Sequence, residues 1–594
     1  MNRLSLSFLA LICVLTTTAT AQRPGGNRSA GGSAGRSEPM GPPPESVAGP
    51  GYSTSKRAED EARVEFKSET IVVQVPVVVT DKSGNHVHGL TKDKFQISEN
   101  NKDQTISSFE EIINTSAPIS VVTRPGFYSN LLVDRDKPRA VTIIALDMVN
   151  TPILDQSYAR RELIKYLSNN IDTGQTLALV LITEKGLKVA YGLTSSAKTP
   201  QEVLKNVSSE SYAMQNVSKD AEVAAATGDT STLMTAFTLA TTETRLNEFI
   251  TQSDVNCAQF KQEQAIETTM QAFLGIAWSV SGIPGRKTLL WATGGFPFVM
   301  DSPSSVPGGR LSLLYERAMK ALNDGNVSIY PVDVLGLINI APGADVGTVP
   351  KGPASMRQLS NRSWLVNTKQ DTLKDFAEMT GGRAFYNTND LAGAFQRVTD
   401  DASSYYMLTY HLDTKNNKPG WRSLKVKVDQ KDVEIRARKG FFVTNATLNP
   451  DASRLNDMEY ALSAPFEATA IPIVMQWGAS KDVPGNEKKQ IPFTIRIAGN
   501  EITVDGTHSA MNVGIAAVAT QPSPHRKDEF LVVDRLAEDV KGELKPENLA
   551  TLRSRGMSYN NTLELAPGTY SVRFVVRDNL SGRLGSVSAP LTVN

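Results

Sequence analysis

Between residues 138 and 405 the chain repeats one pattern, an apolar run followed by a segment of helical period. The runs "AVTIIALD", "TLALVLIT", "KTLLWAT" and "VSIYPVDV" are almost wholly apolar, so a strand made from any of them must be covered on both faces. Between and after them lie "LDQSYARRELIKYLSNNI", "CAQFKQEQAIETTMQAFLGIAWSVSGI", "GRLSLLYERAMKALNDGN", "TLKDFAEMTGG" and "DLAGAFQRVTDDASS", whose apolar residues recur at helical spacing. Helices between consecutive parallel strands supply that cover. The alternation therefore predicts an α/β unit over 138–405 with a mostly parallel sheet flanked by helices. In such a sheet ligands bind beyond the carboxyl ends of the strands. "GLKVAYGLT" reads as a hairpin partner or edge strand.

At 594 residues the chain is too long for a single core. Arg3, the apolar run Leu4 to Leu15 and the small residues Ala19-Thr20-Ala21 form the three-part pattern of a secretory signal peptide over 1–21. Residues 22–60, rich in Gly, Pro and Ser, cannot bury enough apolar surface to order and read as a linker. Over 64–125, alternating Val and Ile with turns at Lys82-Ser83-Gly84-Asn85 and Glu99-Asn100-Asn101 predict a small β-sandwich. Residues 406–445 read as a strand extension that packs on this amino-terminal β unit or stands beside it, and 451–594 as a carboxy-terminal, immunoglobulin-like β-sandwich.

Lys plus Arg and Asp plus Glu are equal at 62 each, so net charge favours neither nucleic acid nor an anionic membrane. Beyond the leader no apolar stretch approaches the roughly 20 residues a membrane helix requires. Cys13 leaves with the leader, and Cys257, the one cysteine remaining, has no second Cys to pair with. These readings place the mature chain outside the cytoplasm, in the periplasm or the extracellular medium, without disulfides.

Candidate site residues gather at the predicted strand ends. Asp147, Asn150 and Thr151 follow the first run, Thr194 with Ser195 and Ser196 follows "GLKVAYG", and Thr293 with Gly294 and Gly295 follows "KTLLWA". Oxygen ligands meeting at a sheet edge are what a hard cation, Mg2+ or Ca2+, requires. The same residues at 147–151 equally suit a cap on a helix starting near Ile153. Asp333 ends a further run at the same edge. His86 and His88 alternate on one strand, as a metal-binding pair or as two solvent-facing side chains, with no third ligand nearby. Residues 209–256 form a long Thr- and Ala-rich insert, a lid or a packing helix.

Over roughly residues 70 to 445 the chain resembles the von Willebrand factor type A family, in its bacterial secreted, acidobacterial form. The resemblance is carried by "PVVVTDKSGNHVHGLTKDKFQISENN", "ALDMVNTPILDQSYARRELIKYL", "LLWATGGFPF" and "YYMLTYHLDTKNNKPGWRSLKVKV". It implies a Rossmann-like domain between β modules and an adhesion site holding a divalent cation. Asp147 stands at the family's first Asp and Thr151 at its last Ser, while Val149 replaces the middle Ser. Thr194 stands for the second-loop Thr, and Thr293-Gly294 occupies the place of the family's Asp-Gly. With Asn150 these give a degenerate cation site. No phosphate-binding loop and no nucleophile elbow is present.

The expected function is a secreted, non-enzymatic module that binds a protein or surface polymer at the carboxyl edge of its sheet. The alternative is a metal-independent structural or assembly component of the cell envelope. A hydrolase, the third class, has no supporting motif.

Overall fold

The computed structural model describes residues 71–594 except 115–119, 134–136, 170–175, 195–243, 297–309, 337–369, 413–419, 444–449, 483–484, 486, 506–508 and 524–529. The leader, the linker, Ser195, Ser196 and most of the 209–256 insert lie outside the described residues.

Strand outweighs helix, 47% against 27%. Among the described residues the strands form five sheets, four of them antiparallel throughout. The expected class, a Rossmann-like parallel sheet flanked by helices with sandwich modules attached, is thereby corrected. Among the described residues the chain is strand-rich and mostly antiparallel, and its parallel strand pairs join four strands of one sheet, with one further parallel bridge from Val332 to Phe385.

That sheet runs in the order Val327–Asp333, Lys287–Thr293, Val141–Asp147, Thr176–Thr183, Gly186–Thr194. The first four are parallel and the last is antiparallel. Residues of the first four strands are buried throughout, as their apolar runs require. Phe273 and Ile276 from the helix Thr244–Val280, with Leu314 and Met319 from Arg310–Asp324, pack on one face. Leu163 and Leu167 from Ile153–Asn169, with Phe395 and Val398 from Leu391–Asp401, pack on the other.

The remaining sheets are assembled from distant parts of the chain. Ile71–Asp81 pairs with Ser404–Leu412, Val73 opposite Tyr410 and Val77 opposite Tyr406. Phe95–Glu99 pairs with Gly420–Val428. Val73, Val75, Val77 and Val79 bury one side of their strand in a core shared with Tyr406, Leu408 and Tyr410. In the carboxy-terminal sandwich, Phe127–Ser129 from far upstream adds to Ile473–Trp477. The adjoining buried Asn130 donates to the carbonyls of Ala468 (2.7 Å) and Ile471 (3.1 Å) and accepts from Ile473 N (2.7 Å).

An ionic cluster crosses between these parts. Asp457, on the helix Pro450–Ser463, accepts from Arg577 Nε (3.0 Å) and Nη2 (2.8 Å) and also from Arg317 on the helix Arg310–Asp324. Among the described residues no helix is long and apolar enough to cross a membrane.

One buried base sits at the start of a central strand. Lys287 Nζ donates to the carbonyls of Ile283 (2.7 Å) and Gly285 (2.9 Å), and burial lowers its pKa from 10.5 to about 7. Between these two values the unfolded chain holds the proton more tightly, so stability rises with pH and is lost as pH falls toward 7. Each unit of that difference is worth about 1.4 kcal/mol. Denaturant melts between pH 7 and 9 should show this rise, and Lys287→Met should flatten it. Tyr330 and Tyr405, which burial holds at about 12, stay protonated in the folded protein across this range. Equal slopes in wild type and Lys287→Met would show that Lys287 titrates normally.

Candidate functional site

The strand Val141–Asp147 is apolar until its last residue, and that residue is wholly buried. A buried carboxylate needs donors on both oxygens. Asp147 Oδ1 accepts from the backbone N–H of Val149 (3.0 Å) and Asn150 (2.9 Å), closing a tight turn just before the helix. Asp147 Oδ2 is 2.8 Å from Asn150 Nδ2, 3.0 Å from the indole Nε1 of Trp291 and 3.0 Å from Thr293 Oγ1. Burial pushes the Asp147 pKa up, opposed by donation from Asn150, Thr293 and Trp291.

The neighbouring hydroxyls and amides are engaged as well. Asn150 Nδ2 also reaches Thr269 Oγ1 (2.9 Å) on the helix Thr244–Val280. Thr151 Oγ1 accepts from Gly294 N (2.9 Å). Thr293 Oγ1 lies 2.8 Å from the Gly295 carbonyl, so its one proton serves that oxygen or Asp147. Gln156 Nε2 bridges the carbonyls of Met148 (3.1 Å) and Thr151 (2.8 Å). The two strand-end loops are so close that a Cβ on Gly294 would lie 2.8 Å from the Asn150 carbonyl oxygen. Only glycine fits there without moving backbone.

Asp147, Asn150, Thr151 and Thr293 are thus brought together, and Thr194 is not. Its backbone pairs with Leu177, whereas Asp147 lies beside Ile182. That places Thr194 five residues of about 3.4 Å, or about 17 Å, further along the strands and two strands across, at the opposite end of the sheet. The reason is direction: Thr183 turns through Glu184 and Lys185 into an antiparallel strand that runs back past its partner. Asp333 ends its strand in register with Thr293 and accepts from Leu335 N (2.9 Å).

The donor set does not fit Mg2+ or Ca2+. A hard cation needs several inward-facing oxygens, whereas N–H groups of Asn150, Trp291 and the turn converge on the single carboxylate. The indole nitrogen has no lone pair to give. Among the described residues no group of three or more His, Cys, Asp or Glu is arranged to hold a metal ion. The cluster acts as a polar clasp joining two strands, a turn and a helix.

Trp291 and Thr269 are the members that the sequence did not single out. A period-2 reading of "LLWAT" would have found Trp291, since it shares a face with Thr293 and a buried indole N–H needs an acceptor. No protein-family model matches the chain, and no curated protein matches it either.

Proposed function

We propose that this is an exported, non-enzymatic protein that binds another protein without a cation at its strand ends. One observation carries the reading. Phe530, Leu531, Val532 and Val533 are consecutive and 64%, 43%, 61% and 36% exposed. Four exposed apolar residues in a row are a liability unless a partner covers them.

Their place in the sheet adds to this. The strand Phe530–Glu543 is the outermost of its sheet; from Asp534 on it lies against Met557–Leu565, through Glu564 N to Asp534 Oδ2 (3.1 Å) and Tyr559 Oη to Glu538 Oε2 (2.6 Å), which leaves the edge at Phe530–Val533 to a further strand. Its first residues pair with Thr520, Gln521 and Pro522, and the third strand of the sheet pairs no further than Thr520. The ribbon therefore extends past the sandwich. The strand-end clasp around Asp147 supports a role without catalysis, because its polar atoms are spent on one another.

A photo-crosslinking amino acid at Leu531 in the native host should give one discrete protein adduct, absent when the same group replaces exposed Lys425. Identical adduct patterns at the two positions would remove this surface from consideration. Amino-terminal sequencing of the same material should begin at Gln22 if residues 1–21 are a cleaved leader.

A further inference from the structure

The turn that follows the strand Ile71–Asp81 carries two histidines, each held through one ring nitrogen. His86 Nε2 is 2.8 Å from the carbonyl oxygen of Asp400. A carbonyl can only accept, so this nitrogen carries the proton and Nδ1 of the neutral ring is a lone pair. His88 Nδ1 is 2.7 Å from Glu111 Oε1, and the other oxygen of that carboxylate accepts from Gly89 N (3.0 Å). By the same reasoning His88 Nδ1 is protonated and Nε2 of the neutral ring is the lone pair. A histidine held through one nitrogen by a carboxylate or carbonyl, with the other left free, is the arrangement that orients metal ligands.

The two ring centres are 6.3 Å apart and inclined by 36°. With metal–nitrogen bonds of about 2.0–2.1 Å, tetrahedral ligation brings two imidazole centres to roughly 5 Å. Closing that gap needs a movement of about 1 Å between the rings at such bond lengths. The backbone on either side is already fixed, by Val87 N to Val79 O (2.9 Å) and Leu90 N to Tyr406 Oη (3.1 Å). The His88 side chain is 53% exposed, and the adjustment carries it together with the Glu111 carboxylate that it bonds.

We propose that His86 and His88 form a two-imidazole site for a borderline divalent transition metal, with Glu111 and the Asp400 carbonyl as positioning groups. Imidazole nitrogens select Cu2+ and Zn2+ over Mg2+ or Ca2+, and Cu2+ binds more tightly than Zn2+. Two protein ligands leave the other coordination positions to water or to a ligand from a partner.

Calorimetric titration of the full chain with Cu2+, Zn2+ and Mg2+ tests this. One saturable site is expected for Cu2+ and Zn2+, Cu2+ the tighter, and none for Mg2+. His88→Ala should weaken Zn2+ binding roughly tenfold or more, and Glu111→Gln about 10- to 100-fold with unchanged stoichiometry. His411→Ala should leave it unchanged. His86→Ala also loses the bond to Asp400, so its binding is interpreted only if its melting curve matches wild type, and His88→Ala stands in its place otherwise. Zn2+ binding that survives His88→Ala, or no binding of either transition metal, overturns the proposal.

Discussion

Asp147→Asn lowers the stability of the folded protein by about 3–5 kcal/mol, as read from urea or guanidinium unfolding. The substitution keeps the shape and changes one acceptor oxygen into an N–H2 donor. Either orientation of that amide sets it against donors, since Oδ1 faces Val149 N and Asn150 N while Oδ2 faces Asn150 Nδ2 and Trp291 Nε1. A carboxylate waiting for a cation behaves in the opposite way: without metal its loss is neutral or stabilising, because it relieves an unpaired buried charge. The sign of the change therefore separates a clasp from an ion site. Mg2+ and Ca2+ should leave the wild-type midpoint where it is. A stabilised Asp147→Asn protein, together with a wild-type midpoint that climbs with Mg2+, would restore the cation reading.

Asp457→Ala should cost a similar amount, about 3–5 kcal/mol, because it strands two guanidiniums in largely buried positions. The Asp457 side chain is 6% exposed and that of Arg577 10%. Burial lowers the Arg577 pKa to about 10, and it lowers that of Arg317 too, the nearby charge of Arg577 adding to the effect. Adding Arg577→Met to Asp457→Ala should return part of the loss, since a buried cation is then replaced by an apolar chain of similar length. If Asp457→Ala melts within about 0.5 kcal/mol of wild type, the cluster is an ordinary surface contact. Because Arg317 belongs to a helix on the parallel sheet and Arg577 to the carboxy-terminal sandwich, the loss should appear in one cooperative transition.

Local pattern disclosed the elements better than their arrangement. "VTIIALD", "TLALVLIT", "KTLLWAT" and "VSIYPVD" form the strands Val141–Asp147, Thr176–Thr183, Lys287–Thr293 and Val327–Asp333, because burial on both faces writes itself into every residue. The fold class was misread because that conspicuous block was taken as the organising domain, whereas its parallel strands make up one sheet among five in the described residues. Ile71–Asp81 pairs with Ser404–Leu412 and Val433–Arg436, and Phe127–Ser129 pairs with Ile473–Trp477. The return of 406–445 to the amino-terminal β unit was one of two readings its place in the chain allowed, but pairing across such distances leaves no periodic trace, so the partner strands and their registers were hidden. At the site, four polar residues in two loops were legible as a cluster. Their chemistry was not, since the decisive donor is Trp291, an aromatic side chain inside an apolar run. Thr194 was misplaced for a third reason: "GLKVAYGLT" was open to a hairpin reading, yet its end was assigned to the carboxyl edge as if it ran parallel.

The pairing of Ile71–Asp81 with Ser404–Leu412 also governs how the protein is made. A ribosome adding about 5–20 residues per second needs about 15–65 s to travel from Asp81 to Ser404. Throughout that interval a strand bearing Val73, Val75, Val77 and Val79 has emerged without its neighbour. Over that interval the nascent chain carries an apolar strand without this partner, the kind of segment that aggregates when it meets another unpaired strand.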